Sequence, residues 1–201
     1  PLTTMKDTLK GKKISKLIGL SASKDKKSTK RFKVDEKLTN DKHTVVTDKK
    51  RGGKIVVFRG TNVADTRDLR SDAALAVGQE KNDPRFKNSK SFLKKVRKSS
   101  KDEGMGSKLT VVGHSLGGSL AQFASKKRDK VITVNKGAGI NEIGKKIHKN
   151  QTDIRNRNDV ISGLSLLNRG AEKEDGGTIS LHQLGSNGAH SYKTIPKENK
   201  F

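Results

Sequence analysis

Leu109-Thr110-Val111-Val112-Gly113-His114-Ser115-Leu116-Gly117-Gly118-Ser119-Leu120 is the stretch that decides the fold. Its first four residues are aliphatic or β-branched and predict a buried strand. From Leu116 to Lys127 the pattern turns helical, with Leu120, Ala121, Phe123 and Ala124 on one face. Gly113-His114-Ser115-Leu116-Gly117 lies between them and matches G-x-S-x-G. Alone that pattern is weak; between a strand and a helix it meets the setting of a nucleophile elbow. A serine on so sharp a turn has a strained backbone and tolerates only tiny neighbours, a need Gly113 and Gly117 meet. Gly118 lets the helix approach the sheet closely. The helix N-terminus brings positive partial charge and free N–H groups under the hydroxyl, so the Leu116 N–H reads as an oxyanion donor.

Outward from this motif, strand and helix signals alternate. Thr44–Thr47 and Lys54–Arg59 read as strands around an Arg51-Gly52-Gly53 turn. Residues 85–101 are helical, with Phe86, Phe92, Leu93 and Val96 on one side. Val131–Val134 reads as a strand, Ile140–His148 as a short helix and Thr178–Leu184 as a last strand. The alternation predicts an α/β domain over residues 44–201, compact and single, with a mostly parallel central sheet flanked by helices. Residues 1–43 read as a basic N-terminal extension. Within it, Leu9, Ile14, Leu17 and Ile18 face away from Lys10, Lys12, Lys13 and Lys16 on a short helix. That helix either packs over the domain edge or lies on an anionic membrane. Residues 21–31 read as a loop.

Composition bounds the function. The 201 residues carry 45 Lys and Arg against 21 Asp and Glu, a net charge of +24, which favours polyanions: nucleic acid, acidic lipid headgroups or an acidic partner protein. Aromatic residues are scarce, so nucleic-acid contact would fall mainly on phosphate. The absence of cysteine removes disulfides, thiolate metal sites and a cysteine nucleophile. His43, His114 and His148 show no metal-ligand pattern, and neither metal nor cofactor is expected. No apolar run approaches the ~20 residues of a membrane span, so a soluble chain is expected. A start at Pro1 instead of Met suggests processing from a larger precursor, secreted or virion-associated.

Gly113-His114-Ser115-Leu116-Gly117-Gly118 resembles the elbow of the class 3 (fungal-type, triacylglycerol) lipases of the α/β-hydrolase fold. Ile55-Val56-Val57-Phe58-Arg59-Gly60-Thr61 resembles that family's strand and oxyanion loop, F-R-G-[ST]. Val131–Ile140 resembles the strand and Gly-containing turn that follow. Arg155-Asn156-Arg157-Asn158-Asp159-Val160 resembles the segment ending in the triad aspartate, and His190-Ser191-Tyr192 the terminal H-x-Y motif. The resemblance covers roughly residues 44–195 and implies a Ser115, Asp159, His190 triad, in α/β-hydrolase order. It also implies an oxyanion hole from Thr61 and Leu116. His182, on the last predicted strand, is the rival base; Asp153 and Asp175 are rivals to Asp159. His114, the variable residue of the elbow, reads as packed or hydrogen-bonded.

The chain departs from the family after the oxyanion loop. Asn62–Asp72 is short and heavily charged where interfacial lipases carry an apolar lid, and the triad spacings are compressed. Both features favour a small ester, a single-chain lipid or a membrane-presented phospholipid over bulk triglyceride. A basic face adds about 1 kcal/mol per cation near an anionic bilayer. The expected function is a serine carboxylic-ester hydrolase acting on lipid esters through an acyl-serine intermediate. The alternative is a weak or inactive lipase fold kept as a basic binding component for nucleic acid, membrane or a virion.

Overall fold

Val45 and Val46, Val56 and Val57, and Val111 and Val112 are all fully buried, yet the two members of each pair enter different cores. Successive side chains of a strand point to opposite faces, so these strands belong to a sheet covered on both sides. The computed structural model describes residues 8–60, 84–136, 149–156, 178–182 and 191–201.

Seven strands stand side by side in chain order: β1 (Phe32–Val34), β2 (His43–Asp48), β3 (Lys54–Phe58), β4 (Thr110–His114), β5 (Lys130–Val134), β6 (Gln151–Asn156) and β7 (Thr178–His182). β1–β2 and β2–β3 pair antiparallel; β3 to β7 run parallel. The expected mostly parallel sheet with flanking helices in one compact domain is what forms. Helix α2 (Pro84–Asp102) lies between β3 and β4 in the chain, and α3 (Leu116–Ala124) between β4 and β5. Right-handed crossovers between strands laid down in order put such helices on one face. Phe86, Leu93 and Val96 of α2 and Leu116, Leu120 and Ala121 of α3 accordingly share one core with Val56, Phe58 and Val111.

On the other face, among the described residues, the covering comes from the two ends of the chain. Helix α1 (Gly11–Ala22) buries Ile14, Leu17 and Ile18 against Val46, Ile55, Val57 and Val112, together with Leu9, Phe32, Ile195 and Phe201. Of the two readings of this helix, packing is the one found. A helix N-terminus leaves N–H groups without intrahelical partners. Here the C-terminal tail supplies them: Gly11 N donates to Asn199 O (2.8 Å) and Lys12 N to Lys197 O (3.0 Å). Leu9 and Phe201 exchange both backbone hydrogen bonds, and Ser15 Oγ donates to Tyr192 O (3.1 Å).

Three elements depart from the sequence expectation, the first being β1, which falls within the segment read as an N-terminal extension. β6 forms where the sequence shows no strand signal, because one buried face carries Gln151, Asp153 and Arg155 instead of aliphatic residues. α3 ends at Ala124, three residues short of Lys127, ahead of the exposed run Lys126-Lys127-Arg128. The expected helix Ile140–His148 and the last two residues of Thr178–Leu184 lie outside the described residues. Among the described residues no helix is long and apolar enough to cross a membrane.

Candidate functional site

Ser115 occupies the single residue between the end of β4 and the start of α3, with φ 56° and ψ −125°. Only Ser115 and Asn135 among the described non-glycine residues have positive φ. A non-glycine residue in so sparse a region costs of order 1–3 kcal/mol and persists only when its surroundings over-determine it. They do so here. Ser115 N donates to Val134 O (3.0 Å), extending the β4–β5 ladder, and Ser115 O accepts from Gly118 N (2.9 Å) and Ser119 N (3.3 Å).

The glycines act by closeness. A Cβ on Gly113 would strike the Gly117 carbonyl, and one on Gly117 would strike the carbonyl of Phe58. A Cβ on Gly118 would come 2.8 Å from Lys136 Cβ and 3.3 Å from Thr133 Cβ, so α3 lies as close to the sheet as the sequence implies. Gly60, immediately before Thr61, is equally tight: its Cβ would stand 2.8 Å from His114 O and 3.7 Å from Ser115 Cβ. The loop after β3 thus passes directly beside the serine. Ser115 Oγ is buried and has no hydrogen-bond partner among the described residues.

His114 is buried, its ring edge-on to Tyr192 with centroids 5.5 Å apart. This contact brings the tail next to the elbow. Thr61, Asp159, His190 and Asp175 lie outside the described residues. So does the side chain of His182, whose backbone closes β7 opposite Asn156. Asp153 is accounted for. It accepts from Thr133 Oγ1 (2.5 Å) and Gln151 Nε2 (2.9 Å) and pairs with Arg155 (3.1 Å) and, at 3.7 Å, Lys136. Burial alone would raise its pKa; Lys136 and Arg155 outweigh that and hold it below the ordinary carboxylate range. Asp153 therefore braces β5 and β6 beside α3.

One feature was not legible in the sequence. A cleft of about 180 Å³ adjoins the serine, sharing Gly60 and Leu116 as walls, with Leu120 at its apolar side and Lys42, Arg59 and Arg85 around it. Among the described residues no group of three or more His, Cys, Asp or Glu is gathered to hold a metal ion. A strained, buried serine on a helix N-terminus, flanked by a glycine loop and a cleft, is an arrangement suited to nucleophilic attack on a carbonyl.

No protein-family model and no curated protein matches the chain in sequence. Solved structures match in fold. A mutant of MDLA from Penicillium cyclopium superposes with a TM-score of 0.52 at 15% identity, covering 91% of this chain and 83% of that one. A fungal lipase–inhibitor complex, described as a model for interfacial activation, has a TM-score of 0.49 at 14% identity, covering 90% and 83%. At these identities the likeness is one of architecture alone, an α/β-hydrolase-like fold.

Proposed function

We propose that the chain is a serine carboxylic-ester hydrolase of class 3 lipase type, acting on lipid esters through an acyl-serine intermediate. The observation that carries this reading is Ser115: an over-determined positive-φ serine between a parallel strand and a helix, its hydroxyl unengaged among the described residues. In this reading His190 takes the Ser115 proton as Oγ attacks the ester carbonyl, and returns it to the departing alcohol. A water then attacks the acyl-serine by the same route, releasing the acid and the free hydroxyl. Asp159 holds the imidazole tautomer and stabilises its charged form. The N–H groups of Thr61 and Leu116 receive the negative charge that develops on the carbonyl oxygen.

Three local observations support these assignments. Gly60, the chain neighbour of Thr61, stands beside Ser115. β6 ends at Asn156, three residues before Asp159, and ligands of open α/β sheets gather at the carboxyl ends of the strands. Tyr192, two residues after His190, packs on His114. The strong positive charge would draw such an enzyme to an anionic lipid surface.

The test is hydrolysis of p-nitrophenyl butyrate and palmitate by the chain and by Ser115→Ala. The variant should lose about 10⁴-fold or more in kcat while keeping its thermal transition. Equal rates in the two proteins, or none in either with anionic vesicles present, would end the proposal and leave a hydrolase fold serving as a basic binding component.

A further inference from the structure

Helix α2 carries eight basic residues and one acidic residue, Asp102. Phe86, Leu93 and Val96 turn one side of it into the core, and Arg97 is buried there with Asp129. The outward side is a line of lysines. Lys87, Lys90, Lys94, Lys98 and Lys101 are all exposed, and steps of three or four residues stack them on one face of the helix. At 1.5 Å per residue the line runs for about 21 Å. Lys98 meets Asp102 at 2.8 Å, whereas the ammonium groups of Lys87, Lys94 and Lys101 have no carboxylate among the described residues. Lys90 lies over the Phe123 ring, 4.2 Å from its centroid. Like charges at this spacing repel and weaken a helix, and interleaved glutamates would have relieved that. Cations on the α1 side are arranged otherwise: Lys10 and Lys12 share Glu198, and Lys27 pairs with Asp25. Beyond α2, Arg128 donates to Ser107 Oγ (2.7 Å), which brings the exposed Lys126 and Lys127 toward the C-terminal end of the line.

We propose that this lysine line is a docking surface for the phosphate backbone of duplex nucleic acid, bound without regard to base sequence. A straight, rigid row of cations matches a stiff row of phosphates, one charge about every 3.4 Å along each strand. The residues around the lysines favour this partner over a bilayer. From Lys87 to Asp102 every exposed residue of α2 is polar or charged, so no apolar side chain stands ready to enter a headgroup layer. The aromatic rings are turned away: Phe86 is buried, and Phe92 stacks on His43 with centroids 3.9 Å apart. Burial and the neighbouring Lys42 push the His43 pKa down to about 4, so that ring adds no cation at pH 7. With no ring free to stack on a base, contact is confined to phosphate. The docking surface is independent of the chemistry at Ser115 and does not require the chain to hydrolyse esters.

Binding is measured by fluorescence anisotropy with labelled DNA duplexes of two unrelated sequences, from about 50 to 200 mM salt. The chain is compared with Lys87→Gln/Lys94→Gln/Lys101→Gln and with Lys16→Gln/Lys24→Gln/Lys30→Gln, which loses equal charge from exposed lysines of the N-terminal segment. The chain should bind both duplexes alike. The α2 variant should weaken binding on the order of ten-fold or more and flatten the slope of log K against log salt by about 3. Its thermal transition should be no lower than the parent's, because it relieves repulsion, and this separates lost docking from lost fold. The control variant should lose much less affinity than the α2 variant. Equal losses in the two variants would reduce binding to net charge and overturn the proposal, as would no binding at the lowest salt or a marked preference between the sequences. On the unsubstituted chain, duplex should protect Lys87, Lys94 and Lys101 from acetylation and leave Lys16, Lys24 and Lys30 reactive; the reverse pattern overturns it. Sedimentation with phosphatidylserine vesicles is run beside these. Vesicle capture that needs the α2 lysines and exceeds capture of duplex would overturn the nucleic acid in favour of a bilayer.

Discussion

The two ends of the parallel strands are built to opposite specifications. At the amino end, buried charge is paired. Arg97 of α2 donates from both terminal nitrogens to Asp129 just before β5, each at 2.7 Å, and Asp129 also accepts from Leu109 N and Lys126 N. Lys54, at the start of β3, pairs with Asp35 (2.9 Å) and Glu103 (2.7 Å). At the carboxyl end, Ser115 and Asn135, the two described non-glycine residues with positive φ, follow β4 and β5. The strained backbone positions thus gather at the carboxyl end, which is how a scaffold supports a reactive site on a stable sheet.

Substitutions at the two ends should therefore separate activity from stability. The largest effect belongs to the carboxyl end. Gly60→Ala should lower kcat by about 10²-fold, because the new methyl crowds His114 O and displaces the oxyanion donor proposed to follow it. Ester hydrolysis measured beside a thermal melt checks this, and a kcat within a factor of two of the parent would break the contrast. At the amino end, Arg97→Ala should destabilise by about 3–5 kcal/mol in chemical denaturation, since it strands a buried carboxylate. Its kcat per folded molecule should be unchanged; a large loss there would mean that the two ends are coupled.

A smaller effect follows from His43. Its pKa in the fold, about 4, is below the ordinary 6.5, so the unfolded chain binds a proton that the native chain refuses. The stability tied to neutral His43 is complete above pH 6.5 and is lost as pH falls toward 4, about 2 kcal/mol after allowance for partial exposure. His43→Phe should flatten that part of the denaturation profile between pH 6.5 and 4, while a slope equal to the parent's would assign it to other groups. Smallest of all, Ser15→Ala removes one hydrogen bond between α1 and the tail and should cost about 1 kcal/mol.

Much of the fold was legible because its signals are local. The valine-rich strands β2 to β5 and the G-x-S-x-G turn carry their reading within a few residues. β6 was missed because its buried positions are satisfied by a charge network, Asp153 with Arg155 and Lys136, and not by aliphatic periodicity. β1 was missed because three residues, Phe32-Lys33-Val34, are too short to show a period. The same logic divides the site. Gly113, Ser115 and Gly117 announce themselves within five residues, whereas Lys42, Arg59 and Arg85 become a cleft only when three segments are brought together.

The most direct test of the central claim is labelling by an alkyl fluorophosphonate, with the adduct located by peptide mass spectrometry. The account predicts one adduct per chain at Ser115, formed with loss of fluoride, absent in Ser115→Ala and strongly slowed in His190→Ala. No adduct on the folded chain, or an adduct at another residue that survives Ser115→Ala, would contradict it.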